Sequence, residues 1–326
     1  MGQVVLLTHS IDPEAMRLIS SVAEVRILSQ PDEAGLLQEI PEADALLVRM
    51  PVSAKAVRAG KRLRVVARHG VGLDYIPVDV CTELGIPVTF TPDANTESVA
   101  EHVIGSMIAL AHRIGPADRA VRQGNWSWRD RSVGLDLFGR TLGVIGFGRI
   151  GSRVAEVATE AFRMKVLVHD PYLSPDFAGP RGITRVSLDE LLSKSDFVTI
   201  HVPLTPDTKH MLNSARIGSM RRGSFLINAA RGGLVDTEAL ANALISYQLA
   251  GAALDVLEDE PPKQDNPLLC LENVLITPHS AALTEEAMSR MGMTAAEDIV
   301  RVLRGERAKN VANRSIKENL KPEHSR

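Results

Sequence analysis

The apolar run Leu142 to Ile145 leads directly into Gly146-Phe147-Gly148-Arg149-Ile150-Gly151, and a stretch of helical composition, Val154 to Ala158, follows. Strand, glycine turn and helix in that order form a unit in which each glycine has a task. The first permits the tight turn, the second lets a pyrophosphate approach the backbone, and the third lets helix and strand pack closely, while the helix N-terminus favours the phosphate charge. Asp170 follows the apolar run Val166 to Val168 and lies 19 residues beyond Gly151. A carboxylate there accepts hydrogen bonds from ribose hydroxyls and repels a 2′-phosphate, so the pattern points to NAD rather than NADP. The bland alternative makes the glycines ordinary turn residues and Asp170 a turn starter before Pro171. It does not explain why strand, spacing and helix all agree.

Elsewhere, short continuous apolar runs such as Val4 to Leu7, Ala45 to Val48 and Val65 to Ala67 alternate with helix-like stretches and Gly or Pro punctuation. Continuous runs suit parallel strands buried on both faces. The pattern reaches Pro92-Asp93-Ala94-Asn95-Thr96, a turn with capping side chains, where a long helix should start. On that helix Val99, Val103, Met107 and Ala111 share a stripe, with Ala100, Ile104 and Ile108 beside it, as in a buried connector or an oligomer interface. After Gly115-Pro116 comes a less periodic stretch carrying Trp126 and Trp128, an arm suited to packing on a second subunit. A second series from Thr141 to about Thr277 contains six apolar strands, enough for one doubly wound sheet. Thr284 should cap a last helix, followed by a polar tail after Gly305 that is expected to be loosely held. The dinucleotide unit is thus expected at 98–283, inserted in an outer domain formed by 1–97 and 284–326.

Bulk properties narrow the function. With 326 residues and 44% hydrophobic content, two well-formed domains are expected rather than a disordered or fibrous chain. A formal charge of −3, with neither sign in long blocks, argues against nucleic-acid or lipid partners and favours a small molecule. Val4 to Leu7 is too short for a signal core and no stretch approaches a membrane span, so a cytoplasmic protein is expected. Cys81 and Cys270 stand far apart with no metal motif, which suggests two reduced core residues and no bound metal.

Several polar residues follow predicted strands: His201 after Val198 to Ile200, Asn228 and Arg231 after Phe225 to Ile227, Asp255 after Leu254, and His279 after Ile276. Ligands of open α/β sheets bind beyond those carboxyl ends. Taken singly, Arg231 could be a surface ion-pair partner, Glu260 a solvated acid and His279 a satisfied strand-exit histidine. Together they supply what reversible hydride transfer to a 2-oxo acid needs, a fixed cation for carboxylate and carbonyl and a proton donor for the developing alkoxide. Glu260 beside His279 would favour the protonated ring through opposite charge.

Gly146 to Gly151, Ala230-Arg231-Gly232-Gly233, Asp255-Val256, Glu260-Pro261-Pro262 and Pro278-His279 resemble the D-isomer-specific 2-hydroxyacid dehydrogenase family over nearly the whole chain. The resemblance implies a Rossmann NAD-binding domain inserted in a flavodoxin-like substrate domain. It implies Arg231, Glu260 and His279 as catalytic residues. It places Gly146, Gly148, Arg149, Ile150, Gly151, Asp170, His201-Val202-Pro203, Asn228, Ala229 and Asp255 along the cofactor. The same family holds the substrate carboxylate on backbone N–H groups of an outer-domain turn that Arg68 to Asp74 resembles, which makes Val71 and Gly72 the candidates, with Arg231 and His279 also on the substrate. Arg49 matches an arginine of phosphoglycerate-oxidising relatives, so a phosphate or second carboxylate is in range. The implied substrates are 3-phosphoglycerate, hydroxypyruvate, glyoxylate or a related acid, and a homodimer is expected. His69 and Ser280-Ala281-Ala282 depart from the phosphoglycerate pattern. Because only a short tail follows the last helix, the C-terminal regulatory domain of some relatives, and serine feedback through it, are expected to be absent. An NAD-sensing corepressor on the same fold is the alternative; formate dehydrogenase, with glutamine in place of Glu260, fits less well.

Overall fold

Strands whose every side chain is buried form the centre of two parallel sheets, as continuous apolar runs require when helices cover both faces. The computed structural model describes residues 2–174, 176, 177, 179 and 182–315. The chain divides into one unit of Met1–Asn95 with Leu283–Arg326 and a second of Thr96–Ala282.

The first unit carries β1 (Val4–Leu7), β2 (Glu24–Ile27), β3 (Ala45–Val48), β4 (Val65–Arg68) and β5 (Val88–Thr89), in the order β2-β1-β3-β4-β5 with every pair parallel. That is the flavodoxin-like order. One face, Val5, Leu7, Ala45, Leu47, Val65 and Ala67, packs on the helices Pro13–Ser20 and Glu285–Leu303 through Ala15, Ile19, Ala295 and Ile299. The opposite face packs Leu46, Val48 and Val66 on Leu36, Ile40 and Val57. Thr284 caps the last helix by accepting from the Ala287 N–H at 3.2 Å.

The second unit carries β6 (Thr141–Ile145), β7 (Lys165–His169), β8 (Ile183–Arg185), β9 (Phe197–Ile200), β10 (Ser224–Asn228), β11 (Leu249–Leu254) and β12 (Val274–Ile276). Their order is β12-β11-β10-β9-β6-β7-β8, again all parallel, and the direction of travel reverses between β6 and β9. Such a switch point opens a crevice at the carboxyl ends of the two strands. Seven strands stand where the apolar runs suggested six. The extra one, β8, has a single buried side chain, Ile183, and so leaves no apolar run to read. The edge strands β2, with Glu24 and Arg26, and the two-residue β5 escape a hydrophobicity reading for the same reason.

Four other expectations change. The helix Thr96–Ala111 buries Val99, Val103, Met107 and Ala111 in the core of its own unit, so this stripe is not surface for a partner. Gly115-Pro116 does not interrupt structure but opens the helix Ile114–Arg122, where the first turn tolerates proline; the break is at Arg113, in the left-handed region with φ 55°. The tail after Gly305 is tied down as far as the described residues extend. Asn313 Oδ1 accepts from Val88 N at 2.9 Å and its Nδ2 donates to Ile86 O at 3.1 Å, while Asp298 holds Lys309 N at 2.6 Å. These bonds satisfy the outer edge of β5, which would otherwise present unpaired backbone groups. Cys81 is buried but Cys270 is exposed, because the short turn Pro267–Cys270 points Leu268 inward instead. Among the described residues no helix is long and apolar enough to cross a membrane.

Replacing Asn313 by Leu leaves buried donors and acceptors at Val88 and Ile86 unpaired, at about 1–3 kcal/mol each. The urea midpoint of the first unit should therefore fall by more than that of the second, and an unchanged midpoint would show that the tail does not support the β5 edge.

Candidate active site

The site in the second unit is assembled by strand exits at the switch point. Gly146 ends β6 with φ 90°, a conformation that favours glycine, and a Cβ there would lie 2.8 Å from His201 O at the exit of β9. His201 N in turn donates to Ile145 O at 2.7 Å, so the two exits are stitched together. A Cβ on Gly151 would collide with Gly146 O, whereas Gly148 has open space around it. The first and third glycines are thus demanded by packing and the second leaves room for a ligand. Gly148 starts the helix Arg149–Phe162 without a side-chain cap, so the helix N-terminus, which favours an anion, opens at the glycine turn.

Asp170, after β7, accepts from Phe147 N at 2.8 Å and from Tyr172 N at 2.9 Å, which locks its carboxylate against the glycine turn. His201 hydrogen-bonds Thr199 Oγ1 at 3.0 Å, and burial lowers its imidazole to about 4, so the ring is neutral. Val202 and Pro203 continue the chain away from this exit, half-buried and exposed. Open space at Gly148, an uncapped helix N-terminus and a positioned carboxylate together fit a dinucleotide along these strand ends.

The reactive groups stand at the exits of β10, β11 and β12. Asn228 is buried and shapes its own turn: Oδ1 accepts from Ala230 N at 3.0 Å and Nδ2 donates to Arg231 O at 2.8 Å, with Ala229 between. Arg231 follows, with Nη1 donating to Ala230 O at 2.6 Å. Gly232 comes next, and a Cβ there would strike the Leu257 carbonyl and Glu258 N, so the arginine turn lies directly on the segment that carries Glu260. Glu260 Oε1 accepts from Leu257 N at 3.1 Å and its Oε2 meets His279 Nδ1 at 2.8 Å. Burial alone would raise the Glu260 pKa. The His279 hydrogen bond and charge, the Leu257 N–H and the Arg231 charge outweigh it and hold Glu260 below its ordinary value, ionised at neutral pH.

Asp255 is 3% exposed and supports the whole turn. Its carboxylate accepts from Thr277 Oγ1 at 2.6 Å, Ser280 N at 2.8 Å and Ala281 N at 2.9 Å, and its own carbonyl accepts from His279 N at 2.8 Å. His279 is thereby held with φ 53°. The structure shows Asp255 as the anchor of this turn, a role the sequence did not disclose.

Sequence reasoning also passed over His102, whose Nε2 lies 3.3 Å from Thr277 Oγ1, and the pair His210–Glu258 at 2.5 Å, where Glu258 also accepts from Thr237 N at 3.0 Å. Glu258, two residues before Glu260, is thereby tied to His210 and Thr237. Only residue type could have flagged these, because each partner is remote in sequence. Arg49, Val71 and Gly72 belong to the first unit, so the second-unit site does not include them. Arg49 follows β3, with its N–H on Thr8 Oγ1 at 2.8 Å and Nη1 on Ser10 O at 2.8 Å. Val71 and Gly72 are half-buried in the turn after β4, and among the described residues neither N–H donates to a protein group. Two adjacent N–H groups so placed suit a carboxylate.

A glycine turn at the switch point of a seven-stranded parallel sheet, with a carboxylate locked against it, defines a dinucleotide-binding protein. Residues 104–281 match the family model for the D-isomer specific 2-hydroxyacid dehydrogenase NAD binding domain. A D-3-phosphoglycerate dehydrogenase of Methanocaldococcus jannaschii is 43% identical over 312 residues, which are 95% of this chain and 59% of that protein. A glyoxylate reductase of Korarchaeum cryptofilum is 41% identical over 291 residues, 88% of this chain and 87% of that one. The crystal structure of the TT0316 protein from Thermus thermophilus superposes with a TM-score of 0.87 at 38% identity, covering 95% of this chain and all of that one. The chain belongs to the D-isomer specific 2-hydroxyacid dehydrogenase family, and its second unit is the NAD-binding domain of that family. It spans about 59% of the length of the phosphoglycerate dehydrogenase it matches.

Because Glu260 ionises below its ordinary 4.5 in the folded protein, its charge contributes stability that is complete above that value and is lost as pH falls through the lowered one. As pH falls from about 5 the wild type should lose more unfolding free energy than Glu260→Gln. Parallel losses in urea titrations would mean that the Glu260–His279 contact does not form in solution.

Proposed function

We propose that this protein is an NAD-dependent oxidoreductase interconverting a small D-2-hydroxy acid and its 2-oxo acid, of the 3-phosphoglycerate, hydroxypyruvate or glyoxylate class. The 2.8 Å contact between His279 Nδ1 and Glu260 Oε2 carries the reading, because it leaves the other ring nitrogen to exchange a proton while Arg231 stands beside the same carboxylate. Bound NAD supplies the hydride acceptor or donor. Gly148 and the Arg149–Ile150 helix start hold its pyrophosphate, Asp170 its ribose, and His201, Val202, Pro203, Asn228, Ala229 and Asp255 line the strand exits along it. Arg231 pairs with the substrate carboxylate and polarises the 2-oxo group; a planar fork does this better than an ammonium. In reduction His279 Nε2 gives its proton to the oxygen on C2, and in oxidation it takes that proton back, with ionised Glu260 fixing the ring through Nδ1. On the first unit, the Val71 and Gly72 N–H groups are suited to a carboxylate and Arg49 to a further anion.

The resemblance to sensors that bind NAD without turnover leaves the Glu260–His279 pair without a task, which favours the enzyme. A homodimer is part of the same proposal. Its support is the apolar surface of one segment, where Trp126 is 68%, Val133 86% and Phe138 64% exposed, with Ile114 and Val121 also outward. We place the working enzyme in the cytoplasm, consistent with the absence of disulfide bonding between Cys81 and Cys270.

Purified protein should consume NADH, and NADPH far more slowly, with at least one acid among hydroxypyruvate, glyoxylate and phosphohydroxypyruvate. Arg231→Lys and His279→Ala should each lower kcat/KM by roughly 10²-fold or more with circular dichroism unchanged. Full turnover in either variant would remove the assigned roles. For the assembly, light scattering should give twice the chain mass, and Trp126→Asp with Phe138→Asp should return monomer; a wild-type monomer at micromolar concentration contradicts the dimer.

A further inference from the structure

A second histidine–glutamate pair stands two residues from Glu260, and the proton exchange leaves it unused. The segment leaving β9 folds into a compact turn: Thr208 Oγ1 donates to Pro203 O at 2.8 Å and Lys209 N donates to Thr205 O at 2.9 Å. The turn delivers His210 with φ 48°, in the left-handed region that a histidine keeps only where its surroundings hold it there. Both ends of the residue are engaged. Its N–H donates to Gly233 O at 2.8 Å, two residues after Arg231, and its Nε2 meets Glu258 Oε1 at 2.5 Å.

Glu258 spends its other oxygen on the start of the helix Thr237–Ile245, where Oε2 accepts from Thr237 N at 3.0 Å and from the Thr237 hydroxyl. One carboxylate thus ties the segment leaving β11 to the turn after β9 and to the helix that follows the Arg231 turn. Other bonds run the same way: Leu212 N donates to Leu234 O at 3.1 Å, and Asp236 N donates to Leu212 O at 3.1 Å. A Cβ on Gly232 would strike the Leu257 carbonyl and Glu258 N, so no slack remains between the arginine turn and the acid segment. Burial alone would raise the Glu258 pKa; the Thr237 hydroxyl, the His210 ring and the Thr237 N–H outweigh it and hold the carboxylate below its ordinary value, ionised at neutral pH.

The side chains of His210 and Glu258 are 37% and 30% exposed, and ion pairs that solvent reaches add little stability. Their contribution is geometric. Glu260 takes its place from the 257–260 backbone, with Oε1 on Leu257 N at 3.1 Å and Oε2 on His279 Nδ1 at 2.8 Å, so a shift of that backbone carries Glu260 off the ring.

We propose that His210 and Glu258 are positioning residues for the proton-exchanging pair: the His210 ring holds the 257–260 backbone against the Arg231 turn, and Glu260 is thereby kept on His279. The roles rest on the reading of Glu260 and His279 as the groups that handle the proton. His210 acts through Glu260, so its removal should cost nothing further once the Glu260 carboxylate is gone.

The test measures kcat and KM, with NADH and whichever of hydroxypyruvate, glyoxylate and phosphohydroxypyruvate is turned over fastest, in wild type, His210→Ala, His210→Gln, Glu258→Gln, Glu260→Gln and the double variant His210→Ala with Glu260→Gln. His210→Ala and Glu258→Gln should each lower kcat about tenfold with little change in the KM for NADH. His210→Gln, which keeps an N–H donor, should recover part of that loss. Adding His210→Ala to Glu260→Gln should change kcat by less than about twofold, the non-additivity expected of residues that act through one contact. A wild-type kcat in His210→Ala, or a His210→Ala loss that multiplies in full onto Glu260→Gln, overturns the proposal; if His210→Ala does not fold, Glu258→Gln takes its place in each comparison. If wild type turns over none of the acids, the proposed activity fails separately, and the positioning is then judged in urea titrations as pH falls from about 5. The extra loss of unfolding free energy that Glu260 brings relative to Glu260→Gln should shrink when both proteins carry His210→Ala, and an equal extra loss in both backgrounds overturns it.

Discussion

The site depends on one buried carboxylate. Asp255 leaves β11 and spends both oxygens on Thr277, Ser280 and Ala281, which belong to the exit of the neighbouring strand. A buried charge survives only when it is fully hydrogen-bonded, and these donors meet that requirement by fixing the turn that carries His279. From there the order propagates: His279 reaches Glu260, Glu260 is steadied by Leu257 N, and the Leu257–Glu258 backbone lies against Gly232, next to Arg231. The three groups that would handle charge in the reaction are held by backbone, not by long side chains. Preorganisation of that kind keeps reorganisation cost out of the chemical step.

Both units use the same device with different chemistry. Parallel strands end together, so residues one or two positions past them are neighbours in space although they are far apart in sequence. In the second unit the neighbours are a glycine turn, an asparagine turn, an arginine and a histidine, and the helix Arg149–Phe162 adds its uncapped N-terminus. In the first they are Arg49 after β3 and the Val71–Gly72 turn after β4. The loops are free to differ because the sheets beneath them are set by burial alone: Val5, Leu47, Val144, Val198 and Leu226 are entirely buried.

Much was legible locally. Central strands such as Ala45–Val48, Phe197–Ile200 and Ser224–Asn228 were readable because strands in a covered sheet leave unbroken apolar runs. The edge strands β2 and β8 were not: β2 keeps polar residues where solvent reaches it, and β8 buries only Ile183. The tail after Gly305 looked free because it is polar, yet those polar groups are what bind the β5 edge through Asn313 and Asp298. The stripe on Thr96–Ala111 announced a buried face without saying what buries it, and the answer is its own unit.

Sequence by itself determined the α/β class, the glycine turn and its acid, and the residue types available at the strand exits, since each follows from periodicity or short spacing. Only the tertiary structure decided who meets whom. The Glu260–His279 contact, the Asp255 clamp and the His210–Glu258 pair all join residues whose separation along the chain is unrelated to their distance in space. Strand order creates those neighbours. Strand order is a global outcome of packing and crossover handedness, which no local window of the chain contains.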